Sequence, residues 1–186
     1  MPSFIVLEAL DGVGKTTLAR NLAAHHGFTL MTTPGKELQP IRSNIIGELG
    51  SSETARALFY AATVQAEGEK AERLCHQGQN VVMDRYQAST IAYAKARGVT
   101  VNMDQALAAA IPPTLTILLT LDEEERQRRL YKRGVTAEDL ETLMPEFRQA
   151  VLDELRRRCD IEIDLTGKNA LQSLALLWQN IRNYGV

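Results

Sequence analysis

Cysteine is scarce in this chain. Of 186 residues only Cys75 and Cys159 carry a thiol, far apart and outside any C-x-x-C spacing, which argues against a disulfide framework or a zinc site and fits a reducing compartment. A basic excess is missing too. Lysine and arginine number 21 against 23 acids, a formal net charge of -2, so stable binding to a nucleic-acid backbone is not expected. Long apolar runs are absent: SFIVLEAL is broken by Glu8, followed by Asp11, and preceded by no basic segment. Neither a signal peptide nor a membrane span is expected, and the reading is a soluble cytoplasmic protein. Repeats, low-complexity linkers and composition breaks are also lacking, which leaves a single domain over 1–186 with enough apolar content, 45%, for a sizeable core.

What is present is alternation. Short runs rich in β-branched residues at 3–8, 28–31, 80–84, 115–121 and 161–165 alternate with helical patterns at 15–26, 37–49, 53–77, 87–97, 103–110, 122–132, 137–158 and 169–183. That texture predicts a five-stranded parallel sheet wrapped by helices, a three-layer α/β/α fold. In the long helix at 53–77, Thr54, Leu58, Ala61, Ala62 and Gln65 share a face, so residues near Phe59 could reach a cleft. The segment 123–141 differs in texture: three acids, then Arg126, Arg128, Arg129, Lys132 and Arg133, then Gly134, with little apolar content beyond Leu130 and Tyr131. It reads as a helical lid.

The chemistry concentrates behind the first strand. Ala9-x-x-x-x-Gly14-Lys15-Thr16 is the looser form of the Walker A pattern, and it lies where a strand gives way to a helix. Glycine at 12 and 14 lets the backbone curl and aim N–H groups at an anion. With Val13 and Thr17 the loop would hold the β-phosphate of ATP. Lys15 would bridge β- and γ-oxygens, and the Thr16 hydroxyl would ligate Mg²⁺. Asp84-Arg85, at the end of the third strand, would flank the same crevice. There Asp84 would help order the metal and Arg85 would grip a second phosphate.

Taken together, Glu8-x-x-Asp11-Gly12-x-Gly14-Lys15-Thr16-Thr17, Thr33-Pro34-Gly35, Leu58-Phe59-Tyr60-Ala61-Ala62, Asp84-Arg85-Tyr86-x-x-Ser89-x-x-Ala92-Tyr93 and Arg129-x-x-x-Arg133-Gly134 resemble the thymidylate kinase family of P-loop nucleoside monophosphate kinases. The resemblance implies an ATP- and Mg²⁺-dependent enzyme whose partner is a small nucleotide acceptor, dTMP first, and which forms a homodimer. It puts Asp11 near the 3′-hydroxyl, Phe59 on the base, Arg85 and Arg42 at the acceptor phosphate with Ser89 beside them, Tyr93 against the 2′ position, and Arg129 and Arg133 in a lid over ATP. Three positions depart from the family pattern: Thr32-Thr33-Pro34 stands where Arg-Glu-Pro is usual, Thr63 where an arginine reaches the base O4, and Asp139-Leu140 where Asp-Arg is usual. These leave the base open. The alternatives are another or modified nucleotide, a nucleoside attacking through its 5′-hydroxyl with Asp84 or Glu8 as base, or a P-loop switch module.

Overall fold

The computed structural model describes residues 2–185, with every side chain in that span except that of Ala137. The first strand, β1 (Phe4–Glu8), is buried at every position; an unbroken apolar run suits a parallel strand covered on both faces. It leads through a glycine loop into α1 (Lys15–His26), then β2 (Phe28–Thr32). A 3-10 turn at Gln39–Ile41 precedes α2 (Arg42–Glu48). Next come α3 (Glu53–His76), β3 (Asn80–Asp84), α4 (Gln87–Ala96), α5 (Met103–Ala106) and β4 (Leu115–Thr120). The chain ends with α6 (Glu123–Arg133), α7 (Ala137–Leu143), α8 (Pro145–Arg158), β5 (Ile161–Asp164) and α9 (Ala170–Asn183).

The five strands form one parallel sheet in the order β2-β3-β1-β4-β5. Alternation along β1 divides the core. Ile5 and Leu7 join Leu18, Leu22, Val151, Leu155, Leu177 and Ile181 on one face. Phe4 and Val6 join Val64, Ala71, Met83 and Ile91 on the other. From β1 the chain crosses to the β2 edge, and from β3 it crosses to the β4 side, so a crevice opens at the C-terminal ends of these two neighbouring strands. Among the described residues no helix is long and apolar enough to cross a membrane.

Three helix expectations change. The span 37–49 opens as a 3-10 turn carrying Pro40 and becomes α-helical only from Arg42. The span 103–110 stops at Ala106 and yields to turns ahead of Pro112 and Pro113, since the residue before a proline avoids helical backbone. The span 137–158 is two helices. Met144 is extended, with ψ 121°, because Pro145 follows it, and Pro145 then opens α8 where a missing N–H costs nothing.

Candidate active site

The loop after β1 takes its shape from two glycines at positive φ, Gly12 at 89° and Gly14 at 103°. Behind it α1 starts without a side-chain cap and without an acid in its first turn, so its first N–H groups stay available to an anion. Lys15 is buried and its ammonium donates to Asp84 Oδ1. The Thr16 hydroxyl donates to Asp84 Oδ2 at 2.6 Å. One carboxylate at the end of β3 therefore gathers the lysine and the hydroxyl of the glycine loop on β1.

Arg85 extends this link. It has φ 66°, a left-handed backbone that is costly for an arginine and that turns its side chain back over the crevice. Its guanidinium donates to Asp11 at 2.8 Å and to Ser89 Oγ at 3.0 Å, and it lies 5.5 Å from the Tyr93 ring centre. Beneath it, Glu8 is 0% exposed. Its Oε1 accepts from the Tyr86 and Ser89 amides at 2.9 and 3.1 Å, and Oε2 accepts from the Ser89 hydroxyl. With both oxygens spent on the start of α4, Glu8 is a strut and not a free base.

The charges adjust to this crowding. Burial would raise the Asp11 carboxyl, but Arg85 and Lys15 beside it hold it below the usual carboxylate value. Asp84 is lowered in the same way, against burial, by Lys15 and Thr16. Burial and the neighbouring Arg85 push the Lys15 ammonium below an ordinary lysine despite the pull of Asp84. Burial raises the Tyr93 phenol, whose hydroxyl is buried without a hydrogen-bond partner among the described residues.

These residues border a cleft of about 840 Å³. Asp11, Lys15, Thr16, Arg42, Asp84, Arg85, Ser89 and Tyr93 all line it, so the structure gathers most of the expected site. Phe59 and Thr63 are not among its lining residues. The aromatic that α3 brings to the wall is Tyr60, with Phe59 set edge-on to it at 5.3 Å, and the Thr63 hydroxyl turns back to the Tyr60 carbonyl at 2.8 Å. The cleft face of α3 carries Glu53, Ala57, Tyr60 and Glu67, rotated from the face that sequence spacing suggested. Val13 belongs to the loop itself and is buried, whereas Thr17 lies in the first turn of α1 and is exposed.

The arginine-rich segment splits in two. Arg126 is 1% exposed, donating to the Asp11 carbonyl and to Thr142, while Leu130 lies under Gly12, where a Cβ would come within 2.9 Å of it. This buried stripe anchors α6 to the phosphate loop, where sequence texture showed no core pattern. Arg129 donates to the Val13 carbonyl at 2.9 Å, and Arg133 pairs with Asp139 at 2.6 Å. Neither lines the cleft. Instead α7 covers its mouth through acids: Glu138 binds Arg42 at 2.6 Å, and Glu141 holds Arg97 at 2.6 and 3.1 Å. Arg97 escaped the sequence reading, although it sits four residues after Tyr93 and so on the same side of α4.

The family profile described as thymidylate kinase matches residues 7–171. The chain belongs to the thymidylate kinase family. A probable thymidylate kinase of Pyrococcus horikoshii is 37% identical over 150 residues, 73% of each chain. A thymidylate kinase of Baumannia cicadellinicola is 28% identical, covering 97% of this chain and 93% of its own. Among solved structures, the thymidylate kinase of Candida albicans superposes with a TM-score of 0.79 at 26% identity, over 98% of this chain and 92% of its own. The enzyme of Ehrlichia chaffeensis, at 22% identity and a TM-score of 0.68, shares the fold.

Proposed function

We propose that this protein transfers the γ-phosphoryl group of ATP to the 5′-phosphate of a deoxynucleoside monophosphate, dTMP in the first instance, giving dTDP. One observation carries the reading: two cationic centres, Lys15 at the start of α1 behind the glycine loop and Arg85 after β3, face one cleft, each held by a carboxylate from the other strand's end, Asp84 and Asp11. A donor phosphate chain on the first and an acceptor phosphate on the second would meet between them.

The acceptor phosphate is largely dianionic near neutral pH, so the transfer needs alignment and charge neutralisation more than a base. Lys15 would bind the donor oxygens as Asp84 releases it, Arg85 would hold the acceptor phosphate with Ser89 keeping its guanidinium in place, and Asp11 would sit beside both. Arg42 and Tyr60 would flank the acceptor. Arg129 and Arg133, at the loop and the mouth, would add positive charge over the donor and help exclude water. Thr16 and Asp84 fit Mg²⁺: both offer hard oxygens, they already touch, and a magnesium ion shared with phosphates needs only one or two protein ligands. When bound, Mg²⁺ screens the charge on the transferring phosphate oxygens.

The nucleoside reading loses support because neither candidate base is free: Glu8 is fully engaged by α4, and Asp84, which holds Lys15 and Thr16 here, would be taken up by Mg²⁺ once Lys15 turns to the donor. The test is ADP release with Mg²⁺ and ATP against a panel of nucleosides and monophosphates. Release that depends on a monophosphate supports the proposal; release without any acceptor, or only with nucleosides, contradicts it.

A further inference from the structure

Among the described side chains of α7, only Glu138 reaches the cleft wall. The helix is seated by its other residues. Asp139 is buried and accepts from Thr136 and Arg133, and the buried Thr142 accepts from Arg126 at its hydroxyl and its carbonyl. Glu138 and Glu141, three positions apart and so neighbours on one face, reach instead to two arginines that line the cleft, Arg42 and Arg97.

The two contacts are unequal. Glu141 takes both ends of the Arg97 fork at 3.1 and 2.6 Å, and Arg97 is backed further by Glu53 at 3.7 Å and by the Tyr93 ring at 5.5 Å. Such a two-pronged pair holds its geometry well. Glu138 accepts a single hydrogen bond from Arg42, at 2.6 Å, and its side chain is 53% exposed. Arg42 has a second support that does not involve α7: its Nε donates to the Tyr60 hydroxyl at 2.9 Å, and the guanidinium lies 5.6 Å from that ring centre. Tyr60 can therefore keep Arg42 at the wall after Glu138 lets go. An exposed single-pronged pair contributes little, whereas a phosphate near neutral pH brings close to two charges and several acceptor oxygens.

We infer that Glu138 is a stand-in anion, a positioning residue that holds Arg42 at the cleft wall and surrenders it to the phosphate of the monophosphate, while Glu141 keeps α7 docked through Arg97. This rests on the proposed kinase function, which supplies the phosphate. The two acids of one helix face then act in opposite senses. The charge of Glu138 competes with the acceptor, and the charge of Glu141 secures the cover over the mouth.

The test measures calorimetric binding of dTMP, and of thymidine, which lacks the phosphate, to wild type, Glu138→Gln and Glu141→Gln. Each glutamine keeps the shape and removes the charge at a solvent-accessible position. Glu138→Gln should bind dTMP about two- to fivefold more tightly than wild type, the scale of one exposed ion pair, and should bind thymidine as wild type does. Amide hydrogen exchange across residues 137–143 should quicken more in Glu141→Gln than in Glu138→Gln. Unchanged or weaker dTMP binding in Glu138→Gln, an equal gain for thymidine, or exchange quickened most in Glu138→Gln would overturn the assignment. Tighter dTMP binding by Glu138→Gln, in a protein whose wild type transfers no phosphoryl group to dTMP, would sink the kinase reading and leave the exchange at Arg42 standing.

Discussion

Arg85 and Asp11 meet at 2.8 Å across the seam between β3 and β1. The pair joins two strands that are neighbours in the sheet yet about 74 residues apart in sequence. It keeps the Asp11 carboxyl lowered and the Arg85 guanidinium charged. An acceptor phosphate that binds Arg85 must compete with Asp11 for it, while Ser89 holds the other side of the guanidinium.

Lys15→Ala should lower kcat by about 10²-fold or more, the scale seen when a single group that stabilises transition-state charge is removed. The core lies mostly elsewhere, so circular dichroism should show the fold retained. Rapid-quench turnover at saturating ATP checks the rate.

Acid should undo the same cluster. Asp11 and Asp84 have native pKa values below the ordinary carboxylate value. Each therefore contributes stability that is present above about pH 4 and is lost as pH falls through the depressed native value. Melting temperature followed downward from pH 5 should fall more gently in Asp84→Asn than in wild type. At the alkaline end, the lowered Lys15 ammonium should make free-enzyme kcat/KM for ATP decline at lower pH than an unperturbed lysine would dictate.

Gly12→Ala combines two costs, a Cβ at φ 89° and a contact of 2.9 Å with Leu130. A loss of about 1–3 kcal/mol in stability is expected, together with weaker ATP binding. Leu130→Ala alone should cost about 2–5 kcal/mol. The double variant should be more stable than the sum implies, because the clash with Leu130 disappears and only the backbone strain and the cavity left by Leu130 remain. Denaturant titration of the four proteins measures that coupling.

Glu8→Gln should act on the site from beneath. Three donors converge on this carboxylate; an amide turned toward them loses acceptors and costs about 1–3 kcal/mol. Because Ser89 also supports Arg85, KM for the monophosphate should rise more than KM for ATP, which steady-state kinetics with each substrate varied will reveal.

Arg129→Ala with Arg133→Ala should slow turnover far more than it weakens monophosphate binding, since Arg129 is bonded to the glycine loop at Val13 and Arg133 to Asp139 of α7, and neither lines the cleft. Equal losses in kcat and in the monophosphate dissociation constant would argue against that placement.

The sheet was legible because its central strands are buried on both faces and read as unbroken apolar runs, with β1 and β3 ending in the two motifs that flank the crevice. The rest was hidden for definable reasons. Arg126 looks like a solvated charge until the Asp11 carbonyl, Thr142 and Glu123 are seen satisfying its donors in the interior. On α3, small alanines surround the helix and give little sign of which face is inward, so Phe59 and Tyr60 could not be told apart. The break at Met144 is written in Pro145, which keeps the residue before it out of helical backbone. The contact of Gly35 with Glu67 exists only because the 33–35 turn folds onto α3, which spacing along the chain does not show.

The measurement that bears most directly on the account follows γ-³²P from ATP in the presence of Mg²⁺ and dTMP. The label should appear in dTDP in step with ADP, with little free phosphate, and Lys15→Ala should abolish nearly all of it. Label recovered only as inorganic phosphate, or transfer undiminished in Lys15→Ala, would contradict the two-anion cleft on which the account depends.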